Sequence, residues 1–161
     1  MINITETEKR IEDELEALLV PPSTTPPFKL RVYPGSLDDL GKPIQCNHVV
    51  VQFRELDFEN KSQKNFNICK VVQINVCRFN ILVQSNNLRT HREIYQIAQD
   101  VICQLRGKKL LVQADKSLVQ GQNPFRITSF TFDTDIKNGG VCYQSNIDIE
   151  ASFTDTYTEE C

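Results

Sequence analysis

Residues 68–107, ICKVVQINVCRFNILVQSNNLRTHREIYQIAQDVICQLRG, form the stretch that decides the fold. The first half is rich in β-branched and aromatic residues, which predicts a long strand over residues 68–83. Its alternation slips near Cys77, so either a bulge shifts the pleat there or both faces of the strand are covered. The second half predicts a helix, because Thr90 and Glu93 form a capping box and Gly107 suits the stop. Between them an apolar stripe at helical spacing is formed by Ile94, Ile97, Ala98, Val101, Ile102 and Leu105.

The patterns on either side of this unit predict the remaining elements. A Thr5–Glu8 capping box and apolar residues at helical spacing predict a surface helix over residues 6–19. Prolines predict a linker at 20–28, and a polar run predicts a loop at 55–67. Strand-like patterns predict short strands at 28–33, 48–53 and 110–113. The same kind of pattern predicts a hairpin with arms 125–133 and 141–153. Asn138 and Gly139 suit the hairpin turn, and the second arm alternates as a strand with one wet face.

Length and composition place the chain among ordinary globular proteins. Its 161 residues are 40% hydrophobic and 24% charged, the size and composition of one domain over 1–161. Residues 154–161 read as an acidic tail, either mobile or ordered on a neighbouring molecule. No apolar run is long enough to span a membrane, and the N-terminus does not resemble a secretion signal, so we expect a cytoplasmic location and no membrane partner.

The residues that commonly carry chemistry are scattered. The six cysteines include no CxxC pair, and His48 and His91 lack a second ligand at metal-binding spacing. Cys77 and Cys103 sit in apolar patterns, which indicates buried, reduced thiols. Asp100 and Cys103 share a helix with His91 but do not align with it. We therefore expect no catalytic residue, metal or cofactor, and a small ligand-binding module stays only an alternative.

Charge is distributed unevenly along the chain. Residues 1–19 carry a net charge of −4 and residues 133–161 one of −6, so the middle carries +7. Acidic ends and a basic centre suit contact with copies of the same chain or with a charged neighbour, although solvation of a mixed surface explains them equally well. The densest basic group comprises Arg89, Arg92, Arg106, Lys108 and Lys109. It lacks interleaved aromatics and the chain is acidic overall, so we expect no direct, sequence-specific binding of nucleic acid.

The polar segment 55–67 is the candidate contact site. It is longer than a connection between two strands requires, and it carries two aromatic residues. Such a loop either moves freely or contacts a partner, and the aromatics favour contact. The predicted interface residues are Asp57, Phe58, Glu59, Lys61, Lys64 and Phe66.

The order of elements and several local sequences resemble a family of small tail-region proteins of Mu-like prophages. The matching stretches are IEDELEALL (11–19), RVYPGSL (31–37), HVVVQF (48–53), IYQIAQDVICQLRG (94–107) and NIDIEASF (146–153). That family is similar to the tail terminators of long-tailed phages, which form a hexameric ring on the last ring of the tail tube. The resemblance covers nearly the whole chain and includes no catalytic residues.

The resemblance implies an α+β fold in which a mixed, mainly antiparallel sheet is covered on one face by two helices, with a C-terminal hairpin. It implies a ring of identical subunits that stops tube polymerisation and offers a surface to the head. The expected partners are other copies of the chain and the tail tube protein, with the tail sheath and the head–tail connector as further candidates. The expected location is the virion tail, assembled in the host cytoplasm. A head–tail connector, adaptor or baseplate component is the alternative.

Overall fold

The computed structural model describes residues 2–19, 31–34, 48–59, 70–85, 91–137 and 140–158. These residues form, in chain order, α1 (Ile4–Leu19), β1 (Arg31–Pro34), β2 (His48–Glu59), β3 (Lys70–Ser85), α2 (His91–Leu105), β4 (Arg126–Lys137) and β5 (Gly140–Thr158). The Pro-rich linker predicted at 20–28 and the turn residues Asn138 and Gly139 lie outside the described residues, as does Thr90, the predicted cap of α2.

The described strands form one sheet in the order β1-β2-β3-β5-β4. β1 runs parallel to β2, and each of the other neighbouring pairs is antiparallel. The two helices and the apolar face of the sheet share one hydrophobic core. The predicted α+β fold, with a mixed sheet covered on one face by two helices and a C-terminal hairpin, is therefore confirmed.

β3 is the central strand of the sheet, flanked by β2 and β5. Its register with β5 is continuous from Lys70 to Ser85, so the slip in alternation near Cys77 does not reflect a bulge in β3. The register shift with β2 lies instead at Phe53/Glu55 of β2. Side chains on both faces of β3 are buried, including Asn80 on the face away from the helices. The second alternative, cover on both faces, is the one the structure supports.

α1 begins earlier than predicted, because Asn3 and not Thr5 is its N-cap. The side-chain oxygen of Asn3 accepts the amide of Glu6 at 3.2 Å. Glu8, expected to complete a capping box, accepts the amide of Phe53 on β2 at 3.1 Å. Burial raises the pKa of the Glu8 carboxyl, against the opposing effect of that hydrogen bond. Glu8 thus links helix and sheet instead of closing the helix end.

α2 follows its predicted apolar stripe and lies over the core. Ile94, Ala98, Val101 and Leu105 are buried there. Gly107 has the positive φ of 83° that the sequence predicted for the helix stop. Residues 110–113 were predicted as a strand. They instead make two isolated bridges, one between Gln113 and Ile2 and one between Val112 and Leu118. The prediction of a strand here was therefore wrong, and Leu110, Leu111 and Val112 are buried.

Both arms of the C-terminal hairpin are longer than predicted, since β4 continues to Lys137 and β5 extends from Gly140 to Thr158. β5 continues through Thr158, and residues 154–158 pair with the start of β3. The predicted acidic tail is therefore strand as far as residue 158. Threonine and tyrosine favour extended backbone, and they make up four of residues 154–158.

Candidate functional site

The structure moves half of the predicted interface residues from a loop into a strand. Asp57, Phe58 and Glu59 are the last three residues of β2 and pair with the β3 residues Val76, Asn75 and Ile74. The prediction of a loop beginning at residue 55 was therefore wrong. Phe58 is 47% exposed. Lys61, Lys64 and Phe66 lie outside the described residues.

The sheet face opposite the helices carries a network of charged side chains that sequence reasoning missed. Arg78, in the middle of β3, contacts Glu55 at 2.6 Å and Asp57 at 3.5 Å on β2. On its other side it contacts Glu150 of β5 at 3.1 Å. Arg126 of β4 contacts the second oxygen of Glu150, with its Nε at 2.5 Å. We call these five residues the charged ladder, because they join four adjacent strands.

Amide side chains continue this network along β3 and β5. Asn80 donates to Asp148 at 2.8 Å, and Gln84 donates to Gln144 at 3.1 Å. The Asn80 carbonyl oxygen is buried without a hydrogen-bond partner. It lines an open groove of about 490 Å³ whose walls are all strand residues. The polar face is thus ordered by cross-strand pairs, the usual unit of sheet stabilisation.

The charged ladder is better suited to holding strands together than to chemistry. Each of its carboxylates already faces a guanidinium group, and arginine does not release its proton in proteins. A group that is to accept a proton from a substrate needs a free position within hydrogen-bond reach. The ladder therefore fixes the register of four strands and presents a nearly neutral polar surface.

Both edges of the sheet include backbone groups that no described strand pairs with. β1 pairs with residues 48–51 of β2 and leaves residues 52–59 without a described partner on that side. At the opposite edge, none of the described strands pairs with the outer side of β4. Phe58 lies on the first of these edges and Phe130, 41% exposed, on the second. Edge strands of this kind are ready templates for another chain.

Aromatic side chains cluster where α2 approaches the β4 edge. The ring of Tyr95, on α2, lies 5.0 Å from that of Phe132, on β4. Phe132 is in turn 6.1 Å from Tyr143 of β5. Phe130 occupies the helix-side row of β4 next to Phe132 and is less covered. We call Tyr95, Phe130, Phe132 and Tyr143 the aromatic strip.

The basic group predicted from the sequence is partly used within the chain. Lys108 contacts Glu14 on α1, and Gln104 donates to the same carboxylate at 2.8 Å. The hydrogen bond from Lys108 lowers the pKa of Glu14, against a smaller opposing effect of burial. Arg106 and Lys109 are exposed, whereas Arg89 lies outside the described residues. The acidic first helix and the basic end of α2 therefore meet inside one molecule, in addition to any contact between copies.

The thiols differ from their prediction in one case. Cys77 is fully buried, as expected, and burial raises its pKa to about 12. Cys103, expected to face apolar neighbours, is exposed on α2. Within the described ranges no group of three or more His, Cys, Asp or Glu side chains could hold a metal ion. None of the helices described is both long and apolar enough to cross a membrane.

No protein-family model matches the chain, and no curated protein matches it. Among solved structures, the chain is similar to a chain of one described as "Virion of native gene transfer agent (GTA) particle", with 14% sequence identity and a TM-score of 0.45. The match covers 92% of this chain and 94% of that chain. A likeness at this level assigns no function to the chain.

Proposed function

We propose that the chain is a virion structural protein, a tail terminator whose copies form a hexameric ring on the end of a phage tail tube. In this role it stops tube polymerisation and provides the surface to which the head attaches. Its work is assembly and not catalysis, and it acts in the virion tail after assembly in the host cytoplasm. The tail tube protein and neighbouring copies are its main partners.

The observation that carries this proposal is the presence of two unlike contact edges on one sheet. A ring of identical subunits requires a heterologous contact, in which each subunit uses two different surfaces. The edge at residues 52–59 and the edge at β4 differ in sequence and lie on opposite sides of the sheet. Each carries an exposed aromatic residue, the residue type enriched in protein interfaces.

The fold and the charged ladder support the same role. The order of elements and the cover of one sheet face by two helices agree with what the resemblance to Mu-like tail-region proteins implies. The opposite face is wide and polar, and the charged ladder on it consists of side chains paired with one another. Paired charges on a rigid sheet give a contact surface of fixed shape, which suits docking onto a tube or a neighbouring ring.

The test is the effect of the purified protein on growing tail tubes. Light scattering over a series of concentrations and salt conditions gives its mass, and electron microscopy gives the length of tubes grown with and without it. A six-subunit species that sits at tube ends and halts growth supports the proposal. A strict monomer that leaves tube length unchanged overturns it. Binding to tubes without an effect on their length would indicate a connector or baseplate component instead.

A further inference from the structure

The free half of β2 has two chemically different sides. Beyond the four residues paired with β1, its last eight residues keep one edge without a partner in the described part of the chain. Phe58 points to the helix side of the sheet, since it pairs with Asn75, in the same row as Cys77 and Phe79. Glu55 and Asp57 point to the opposite side, where they contact Arg78. Arg54 lies at the register shift between Phe53 and Glu55, and its side chain is exposed.

β4 presents a matching arrangement at the other edge. Phe130 lies on the helix side, next to the contact between Tyr95 and Phe132. The polar side begins with Arg126, whose side chain is mostly exposed, and ends with the exposed Asp133. A strand that is apolar on its helix side and charged on its polar side would thus meet apolar side chains of β4 on the first side and charged side chains of β4 on the second.

The strand directions make the two edges compatible. β2 is antiparallel to β3, β3 to β5, and β5 to β4, so β4 runs opposite to β2. A second copy placed beside β4 in the same orientation therefore brings its β2 alongside in antiparallel fashion. The helix sides of both sheets then face the same way. The basic start of β4 meets the acidic end of β2, and Asp133 comes toward Arg54.

We infer that copies of this chain join by strand addition, in which residues 52–59 of one copy pair with β4 of the next. Phe58 of the incoming strand packs on the aromatic strip, and Arg126 faces the acidic end of the incoming strand. Backbone hydrogen bonds give the affinity and the alternating side chains give the register. The inference rests on the proposed ring and names the surface that closes it.

The strongest test uses two variants that each spoil one edge. A lysine on an edge strand opposes pairing with another strand. Phe58→Lys spoils the β2 edge and keeps β4, whereas Phe130→Lys does the reverse. Leu118→Lys is the matched control, because Leu118 is similarly exposed but lies in the 106–125 connection, on neither edge. Circular dichroism checks that all three variants fold.

Each edge variant alone is expected to be monomeric in sedimentation, at concentrations at which the wild type and Leu118→Lys form the ring. An equimolar mixture of Phe58→Lys and Phe130→Lys is expected to form dimers and nothing larger, since only one pair of intact edges remains. A self-complementary contact between two β4 strands would instead make Phe58→Lys dimeric on its own and would give no dimer between the two variants in the mixture. Either of these results would overturn the inference.

A charge exchange gives a second readout. Arg54→Asp and Asp133→Arg are each expected to weaken self-association about tenfold, the equivalent of about 1.4 kcal/mol. The double variant restores it, because each contact again joins opposite charges. Failure of the double variant to recover would argue against this register.

The experiments distinguish failure of the strand-addition contact from failure of the proposed terminator role. A wild-type ring that survives both edge variants overturns strand addition and leaves the terminator role standing. A β4 edge covered by the chain's own residues would show as lower stability of Phe130→Lys with unchanged mass, which also overturns the contact. A wild type that is monomeric alone overturns it too, while the tube-length assay still decides the terminator role.

Discussion

Arg78 and Glu150 face each other across the two central strands, where Nε of Arg78 donates to Oε2 of Glu150 at 3.1 Å. The Glu150 side chain is only 9% exposed, so water does little to stabilise its charge. Arg126 supplies the second guanidinium contact from β4. A carboxylate held in this way joins three neighbouring strands, and its stability depends on both arginines.

Removing Arg78 should therefore destabilise the fold more than removing Arg126. Arg78→Leu leaves Glu150 with Arg126 as its one partner and also removes the cation that Glu55 and Asp57 contact, so we expect a loss of about 2–3 kcal/mol in the free energy of unfolding. Arg126→Leu should cost about 1 kcal/mol, because its side chain is largely exposed and such pairs contribute little. Urea denaturation measures both. Arg106→Leu, on an exposed site, is the control, and equal losses in all three variants would contradict this account.

The charged ladder could not be predicted because it depends on register. Arg78 and Glu150 are 72 positions apart, and each sits in a strand whose apolar neighbours dominate the pattern. Local sequence predicts that both residues lie in strands, and the pairing of those strands is a property of the whole sheet. The helix stripe of α2 was predictable for the opposite reason. Its signals, from the apolar spacing to Gly107, lie within one short segment.

Residues 55–59, predicted as part of a loop, contain a strand pattern that their charged composition obscured. Leu56 and Phe58 alternate with Glu55, Asp57 and Glu59, which is the period of a strand with one charged side. The density of charge favoured a loop, yet Arg78 on the adjacent strand offsets the charge of Glu55 and Asp57. Such a charge on a neighbouring strand cannot be predicted before the order of the strands in the sheet is known.

The contact between Glu14 and Lys108 should make stability depend on pH. Hydrogen bonds in the folded state lower the pKa of the Glu14 carboxyl. The contact therefore stabilises the fold fully at pH values above the pKa of glutamate in the unfolded chain, about 4.3. This stabilisation is lost as the pH falls through the lower pKa of the folded state. Both side chains are partly exposed, so we expect about 0.5–1 kcal/mol at neutral pH. The measurement is urea denaturation of the wild type and Glu14→Gln at pH 7 and pH 3.

The difference between these two proteins should be present at pH 7 and should shrink at pH 3. Glu16→Gln serves as the control, since Glu16 is exposed on the same helix. Its stability should stay within about 0.5 kcal/mol of the wild type at either pH. A Glu14→Gln penalty that persists undiminished in acid would mean that packing, and not the ion pair, stabilises this contact.

The free thiols of Cys77 and Cys103 should differ sharply in reactivity. The thiolate is the reactive form, and a pKa of about 12 leaves Cys77 protonated at neutral pH, besides being buried. Cys103 is exposed and should be alkylated by iodoacetamide within minutes. Peptide mass spectrometry after a short pulse measures both sites. Cys77 should become modified only in denaturant, and equal labelling of the native protein would contradict its burial.

The start of α1 offers a direct choice between the sequence prediction and the structure. The Thr7 hydroxyl donates to the carbonyl of Asn3 at 2.8 Å and accepts the buried amide of Val112 at 3.1 Å. Thr7→Val leaves that amide without a partner, so we expect a loss of about 1–3 kcal/mol, largely recovered in Thr7→Ser. Asn3→Ala removes the cap of the helix and should cost about 1 kcal/mol.

Thr5→Ala separates the two accounts, because Thr5 is the cap that the sequence predicted, whereas in the structure it is an exposed residue in the first turn. If Asn3 is the cap, Thr5→Ala should leave the free energy of unfolding within about 0.5 kcal/mol of the wild type. A loss at Thr5 equal to that at Asn3 would restore the predicted start. Thermal unfolding followed by circular dichroism compares the four variants at one pH, where the order of loss should be Thr7→Val, Asn3→Ala, Thr7→Ser and Thr5→Ala.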